Sequence, residues 1–440
     1  MRTAHRGALA YCTGDPQQDT RHFVSLADGV LLIENGRIVA VGPATGPGEL
    51  AVERLSPDIA VIEHPQALIV PGFVDSHVHY PQVDVIASYG TRLLEWLENY
   101  TFPAEMRFAD EDHARAVAEI FLDELLRNGT TSALVFSTVH RSATEALFSA
   151  AQRRNLRLAT GKVLMDRHCP ESLQDTATSG YAESRALIER WHGQDRLHYA
   201  ITPRFAVTSS EAQLALAGRL AAEVPEVLIH THLAENQAEI DWVRELFPAA
   251  RSYLDVYARA GLVRERAVFA HCLHLDQGDY EHLAHAGAGM AFCPTSNMFL
   301  GSGLFDLARA RDHHIPVGLA TDVGGGTSFS MLQTMSEAYK VLQLRHQSLD
   351  SASALFLATL GAAQTLGIDR HVGSFESGKE ADFVVLDHTA TPLLARRLAG
   401  CDGAAEHLFA HMILGDDRSI RATYVLGTAV HQRPYTAPTT

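Results

Sequence analysis

Between residues 72 and 380, short apolar runs alternate with longer amphipathic stretches, and few architectures accept that pattern. The runs include Thr131-Ser132-Ala133-Leu134-Val135-Phe136, Leu197-His198-Tyr199-Ala200-Ile201 and Glu226-Val227-Leu228-Ile229-His230. Ala267-Val268-Phe269-Ala270, Met290-Ala291-Phe292-Cys293 and Val317-Gly318-Leu319-Ala320 continue the series, and 72–78 and 156–164 bring it to about eight strand candidates. Stretches such as 113–127 and 336–344 carry helical periodicity between them. Repeated strand–helix units over this length predict a TIM-type (β/α)8 barrel over 71–380. A doubly wound open sheet is the alternative, but no G-x-G-x-x-G follows the first strand.

The chain ends read differently. Val30-Leu31-Leu32-Ile33, a turn at Asn35-Gly36, and Ile38-Val39-Ala40-Val41 spell a β-hairpin, because Asn-Gly tolerates the positive φ values of a tight turn. Asp382-Phe383-Val384-Val385-Leu386 and Thr423-Tyr424-Val425-Leu426 have the same character. Residues 1–70 and 381–440 are therefore expected to form one small β-sandwich domain from both chain ends, with a loose tail over 434–440.

Composition removes several function classes. A formal net charge of −16, without a basic run, disfavours nucleic acid as a partner. Five Cys without a C-x-x-C pair exclude a disulfide framework and a thiolate zinc site, and fit a reducing compartment. The first apolar residues are too few for a signal peptide, and no stretch of 18 apolar residues occurs, so a soluble, cytoplasmic protein with no membrane partner is expected. The 24 His justify a search for metal ligands.

The first barrel strand ends Val74-Asp75-Ser76-His77-Val78-His79. Residues two apart on a strand share a face, so His77 and His79 project together at the barrel mouth, where catalytic groups sit. Matching residues end other strands: His230-Thr231-His232 with Glu235 three residues on, Ala270-His271, and Ala320-Thr321-Asp322. Imidazoles plus one carboxylate without thiolates suit a catalytic zinc or ferrous ion. His230 and His232 share a face, and either suits a ligand. His232 lies nearer the strand end, which leaves His230 as a deeper, hydrogen-bonded residue. A metal lowers the pKa of its water, yet something must carry the proton, and Glu235 is placed to do so. Asp322 serves as the metal's carboxylate and as a second proton acceptor.

Pro71-Gly72-Phe73-Val74-Asp75-Ser76-His77-Val78-His79, His232-Leu233-Ala234-Glu235, His271 and Thr321-Asp322 resemble the amidohydrolase superfamily. Residues 93–105, Asn128-Gly129-Thr130-Thr131, 161–166, Thr202-Pro203-Arg204-Phe205, 293–297 and 322–326 are similar to the guanine deaminases, most closely their bacterial branch. Gly378-Lys379-Glu380-Ala381-Asp382 extends the likeness almost to the end of the chain.

The resemblance implies one zinc per chain on His77, His79, His232 and Asp322, with ferrous iron also suited to the set. It implies Glu235 as proton shuttle, and His271 beside the metal's water as a positioning and charge-stabilising group. Gln82, Arg204 and Phe205 become the purine pocket, and the product becomes xanthine, formed by a homodimer in purine breakdown. An Arg fork can donate to O6 and N7 of guanine together, which fits Arg204.

Other features read as structural. Lys162 resembles the bridging lysine of dinuclear relatives, but that lysine belongs on strand four, where this chain has Arg204, so no second metal is expected. The run Gly324-Gly325-Gly326-Thr327-Ser328 lacks the G-K-[ST] of a phosphate loop and reads as a close turn beside the metal. Trp96, Tyr100 and Phe102 fit a pocket wall or a packed lid or dimer contact equally well. Two alternative functions remain: a sister hydrolase acting on 8-oxoguanine, a pterin or a chlorinated triazine, and a metal-free barrel scaffold. Retention of every ligand type speaks against the scaffold.

Overall fold

A computed structural model of the chain describes residues 2–46, 48, 50–90 and 92–433. Strands β1 (Arg2–Cys12), β2 (Phe23–Glu34), β3 (Arg37–Pro43) and β4 (Ala60–Pro71) precede the barrel. Its strands are β5 (Phe73–His79), β6 (Thr130–Phe136), β7 (Arg157–Gly161), the short β8 (Val163–Leu164), β9 (Leu197–Pro203), β10 (Leu228–Leu233), β11 (Ala267–His271), β12 (Gly289–Phe292) and β13 (Val317–Leu319). Then come β14 (Phe383–Asp387), β15 (Ile420–Val425) and β16 (Thr428–Gln432).

Each of the apolar runs picked out between 72 and 320 forms a strand. They pair in parallel in the order β5-β6-β7-β9-β10-β11-β12-β13, with β8 beside β9. Every residue of β5, β6 and β11 is buried, as parallel strands covered on both faces require. The first and last strands meet. His79 N–H donates to Val323 O at 2.8 Å, and Asp322 N–H to His77 O at 2.9 Å. Asp75 reinforces the join by accepting the Thr321 N–H at 3.1 Å and its hydroxyl.

The barrel interior is packed with small and branched side chains, among them Val74, Leu134, Ala200 and Val268. Ala362, Ala363, Leu366 and Ile368, in and just after the helix Leu360–Thr365, join the same cluster. That packing plugs the end from which the strands start and leaves the opposite mouth for function.

The two chain ends do pair. β4 runs antiparallel to β14, from Pro71 opposite Phe383 to Ala67 opposite Asp387. The predicted hairpin forms, with φ +50° at Asn35 and +77° at Gly36. The small unit expected from both chain ends is built on one seven-stranded mixed sheet, β16-β15-β14-β4-β1-β2-β3, which folds over so that Gly36 at the β2–β3 turn meets Leu426 at the β15–β16 turn. β4 bonds to β1 on one side and β14 on the other, so the two halves join edge to edge. Leu9, Leu31, Ile69, Phe383 and Tyr424 from across that sheet share one apolar cluster. β1 was not foreseen, and 381–440 also carries the helices Pro392–Leu398 and Ala404–Leu414. The latter helix packs on the barrel helices Met331–Leu344 and Ser351–Ala358. The tail at 434–440 lies outside the described residues.

Candidate active site

Four side chains from three strand ends converge at the mouth. His77 and His79 leave β5, His232 leaves β10, and Asp322 follows β13. His79 Nε2 lies 3.2 Å from the Nε2 atoms of both His77 and His232, and Asp322 Oδ1 lies 3.1 and 3.3 Å from His77 and His79 Nε2. Four donors each about 2.0–2.1 Å from one centre stand about 3.3–3.4 Å apart in a tetrahedron, so this set fits one ion. Second partners orient the rings. His77 Nδ1 meets His230 Nε2 at 2.7 Å, and His232 Nδ1 donates to the Arg204 carbonyl at 2.7 Å. With Nδ1 protonated, each Nε2 turns a lone pair to the centre.

His230 therefore takes the deeper, hydrogen-bonded place foreseen for it, and is fully buried. Burial pushes His79 down to about 3 and His232 well below the ordinary imidazole value, so both stand neutral as ligands must. Burial opposes ionisation of Asp322, but His77, His79 and His271 around it hold its carboxyl well below the usual range.

Glu235 follows β10 and is 3% exposed. Ser302 Oγ donates to its Oε1 at 2.9 Å, and its Oε2 lies 3.4 Å from His271 Nε2. Burial, then the nearby Asp322, pushes this carboxyl up to about 8, the direction a proton carrier needs. His271 Nδ1 donates to Asn297 Oδ1 at 2.8 Å, which turns its unpartnered Nε2 toward the site, 3.8 Å from Asp322 Oδ2. Ala234, His271, Cys272 and Asp322 adopt φ of +50°, +71°, +53° and +51°. Left-handed backbone at non-glycine residues is costly and clusters where side chains must be aimed.

One cavity exposes His79, His232, Glu235, His271 and Asp322 and is walled by Gln82, Leu93, Trp96, Leu97, Arg204 and Phe205. Arg204, at the end of β9, is 2% exposed. Its Nη1 donates to both carboxylate oxygens of Glu105, at 2.8 and 2.9 Å, and its guanidinium lies 5.6 Å from the Phe102 ring centre. Gln82 Oε1 accepts the Gly324 N–H at 3.2 Å, and the Gln82 side chain also bonds to Glu105. Burial pushes the Glu105 carboxyl up, and Arg204 and Gln82 oppose that rise.

Of the nine residues singled out from the sequence, eight line one cavity, and His77 lies behind it with His79, His232 and Asp322. Trp96 belongs to the pocket wall, Phe102 lies beside Arg204, and Tyr100 packs 6.5 Å from Trp96. Gly326 makes the expected close turn: a Cβ there would sit 1.8 Å from the Thr321 carbonyl oxygen. Lys162 is buried against Asp175, 2.7 Å away. A second cluster, His271, Cys293 and Asp322, shares Asp322 with the first, and burial drives the Cys293 thiol far up into its neutral form.

Sequence reasoning assigned no role to Glu105, Glu239, Asn297 or Ser302. Glu239 was legible as the fourth member of an Asn236-x-x-Glu239 capping box. Its Oε2 accepts the N–H groups of Glu235 and Asn236 at 3.1 and 3.2 Å, and its Oε1 the Tyr253 hydroxyl at 2.6 Å. The others join the site through contacts distant in sequence.

Residues 68–430 match the family model of the amidohydrolase family, and the chain belongs to that family of hydrolases. Within it the chain is similar over nearly its whole length to guanine deaminases. The Escherichia coli (strain K12) guanine deaminase is 49% identical over 419 residues, 95% of this chain and 94% of that protein. The solved structure of E. coli guanine deaminase superposes with a TM-score of 0.95 at 48% identity, covering 98% of this chain and all of that one. A guanine deaminase from C. acetobutylicum, solved with bound guanine in the active site, gives a TM-score of 0.88 at 26% identity, covering 98% of this chain and 100% of that one. No described helix is long and apolar enough to cross a membrane.

Proposed function

We propose that this chain hydrolyses guanine to xanthine and ammonia, with one zinc ion held by His77, His79, His232 and Asp322. The observation that carries this reading is a single cavity in which His79, His232 and Asp322 of that set, Glu235 and the Arg204–Gln82 wall face one another, with His77 behind them. Full-length likeness to guanine deaminases, one of them solved with guanine bound, supports the substrate. The same likeness extends the proposal to a cytoplasmic homodimer acting in purine breakdown.

When bound, the ion would supply Lewis acidity and make water a stronger acid. The protein's own groups do the rest. Arg204 donates to the O6 and N7 edge of guanine, the free Gln82 amide hydrogen steadies the same ring, and Phe205 covers a face. Glu235 takes a proton from the attacking water and passes it to N3, while Ser302 fixes the carboxylate. Water oxygen adds to C2, giving a carbon that bears both oxygen and the amino group. His271, its Nδ1–H anchored on Asn297, positions the water and stabilises the charge that develops. Glu235 then takes the remaining proton from the added hydroxyl and delivers it to the amino nitrogen; the C2–N bond breaks as the C2 carbonyl forms, and ammonia leaves. Guanine plus water becomes xanthine plus ammonia, and Glu235 ends as it began.

Incubating the purified protein with guanine, with and without a chelator, tests the reading through ammonia release and the ultraviolet change to xanthine. Chelator-sensitive turnover is expected. No turnover from protein shown to hold one zinc would overturn the substrate assignment, and a pterin and 8-oxoguanine panel would replace it.

A further inference from the structure

Among the described residues, Arg204 is the only guanidinium or ammonium side chain lining the cavity. A guanidinium keeps its proton at any working pH, so a buried arginine is a fixed positive charge. Here that charge is answered at once: Glu105, 0% exposed, places both oxygens on Arg204 Nη1. The Gln82 side chain bonds to the same carboxylate. Glu105 arrives from the short helix Phe102–Met106, directly after the π-helical turn Leu97–Thr101. Leu93, Trp96 and Leu97, just before it, form part of the cavity wall. One carboxylate therefore ties together the two polar groups of the purine edge and the wall beside them.

We propose that Glu105 sets the charge preference of the cavity, cancelling Arg204 so that a neutral purine lactam is taken up and an anionic purine is released. The proposal rests on the guanine-deaminating reading above. Guanine is neutral at neutral pH. Exchanging its C2 amino group for oxygen spreads the conjugate base over two carbonyls, so the product loses a ring proton far more readily. A lone Arg204 facing the O6 and N7 edge would hold that anion, whereas a neutral ion pair offers hydrogen bonds without net attraction. Glu105 is a positioning and specificity residue, since it meets substrate only through Arg204 and Gln82.

The deciding variant is Glu105→Gln, which keeps the shape and one acceptor for Nη1 and removes the charge. The two ligands should move in opposite directions. KM for guanine should rise about tenfold, the scale of one charge-assisted contact, while the inhibition constant of xanthine falls by about the same factor. That fall should be larger in mildly alkaline than in mildly acidic buffer, because only the anion gains. Glu105→Asp, which keeps the charge, should leave xanthine inhibition near wild type even where guanine turnover drops. A purely structural brace would weaken both ligands alike at every pH, and that outcome overturns the proposal. Should Glu105→Gln fail to fold, wild-type protein decides through competition by neutral hypoxanthine and anionic urate: tighter binding of the neutral purine supports the proposal, and tighter binding of the anion overturns it. Absence of guanine turnover in wild type would instead remove the deaminase reading itself.

Discussion

His230 reaches the proposed metal only through His77, which makes it a sharp test of how the ligands are aimed. Its Nε2 lies 2.7 Å from His77 Nδ1, and both rings are fully buried. Burial pushes His230 well below the ordinary imidazole value, so it is neutral and free to accept the His77 Nδ1–H. Replacing it with Ala leaves that N–H buried without a partner, at a cost of about 1–3 kcal/mol, and lets the His77 ring turn. Loss of such an outer partner typically lowers metal affinity about 10–100-fold, or roughly 1.4–2.8 kcal/mol. His230→Gln, which keeps an acceptor, should recover part of the loss. Competition against a chromophoric chelator gives the affinity, elemental analysis the content, and a thermal melt of metal-free protein separates ligand aiming from general stability. If His230→Ala holds zinc within about twofold of wild type and keeps its kcat, the ring is oriented by something else and the argument from the Nδ1 contact fails.

Three further outcomes are expected. Glu235→Gln should keep metal content and melting temperature while kcat drops about 10²–10⁴-fold, and a near wild-type rate would remove the shuttle role. Gly326→Ala must displace the Thr321–Asp322 backbone, so metal retention should fall and turnover drop by about a hundredfold or more; unchanged metal content would show that the loop can yield. Glu239 is pushed up to about 7 by burial, then by Glu235. A carboxyl raised in the folded state contributes stability that is complete below its unfolded value of 4.5 and lost as pH climbs toward 7. Wild type should thus lose ground to Glu239→Gln across that window, by at most about 3 kcal/mol, and a melting-temperature difference that does not vary with pH would count against it.

The barrel was legible because its strands are buried on both faces, so each appears as an unbroken apolar run that needs no partner to be recognised. His77, His79, His232 and Asp322 were legible for a related reason. They stand at the ends of those runs, where a polar residue interrupts the pattern. β1 was missed because Arg2–Cys12 mixes charged, small and apolar residues and its burial does not alternate, with Ala4 and His5 covered, Arg6–Ala8 half-buried and Leu9–Cys12 covered again. Its strand character comes from β2 and β4 on either side rather than from its own alternation. Which edges meet within the small β unit was not legible, because side-chain alternation does not reveal it. Glu105 carried no local signal: its partner Arg204 is 99 residues away, and an acidic residue on a short helix looks like any solvated one.

The proposed ligand set draws on both margins of the barrel. His77 and His79 belong to its first strand, Asp322 follows its last, and His232 sits across from them. During synthesis, a chain that has emerged only as far as β12 possesses three of the four donors but not the carboxylate, and its β5 edge is still open. The proposed fourth ligand arrives with the very residues that shut the ring, where Thr321 and Asp322 bond to Asp75 and His77. On the proposed ligand set, full-affinity metal capture would wait until the cylinder is complete. Uptake of the ion would then mark closure: a metal-sensitive probe mixed with refolding protein should report the moment the two margins join.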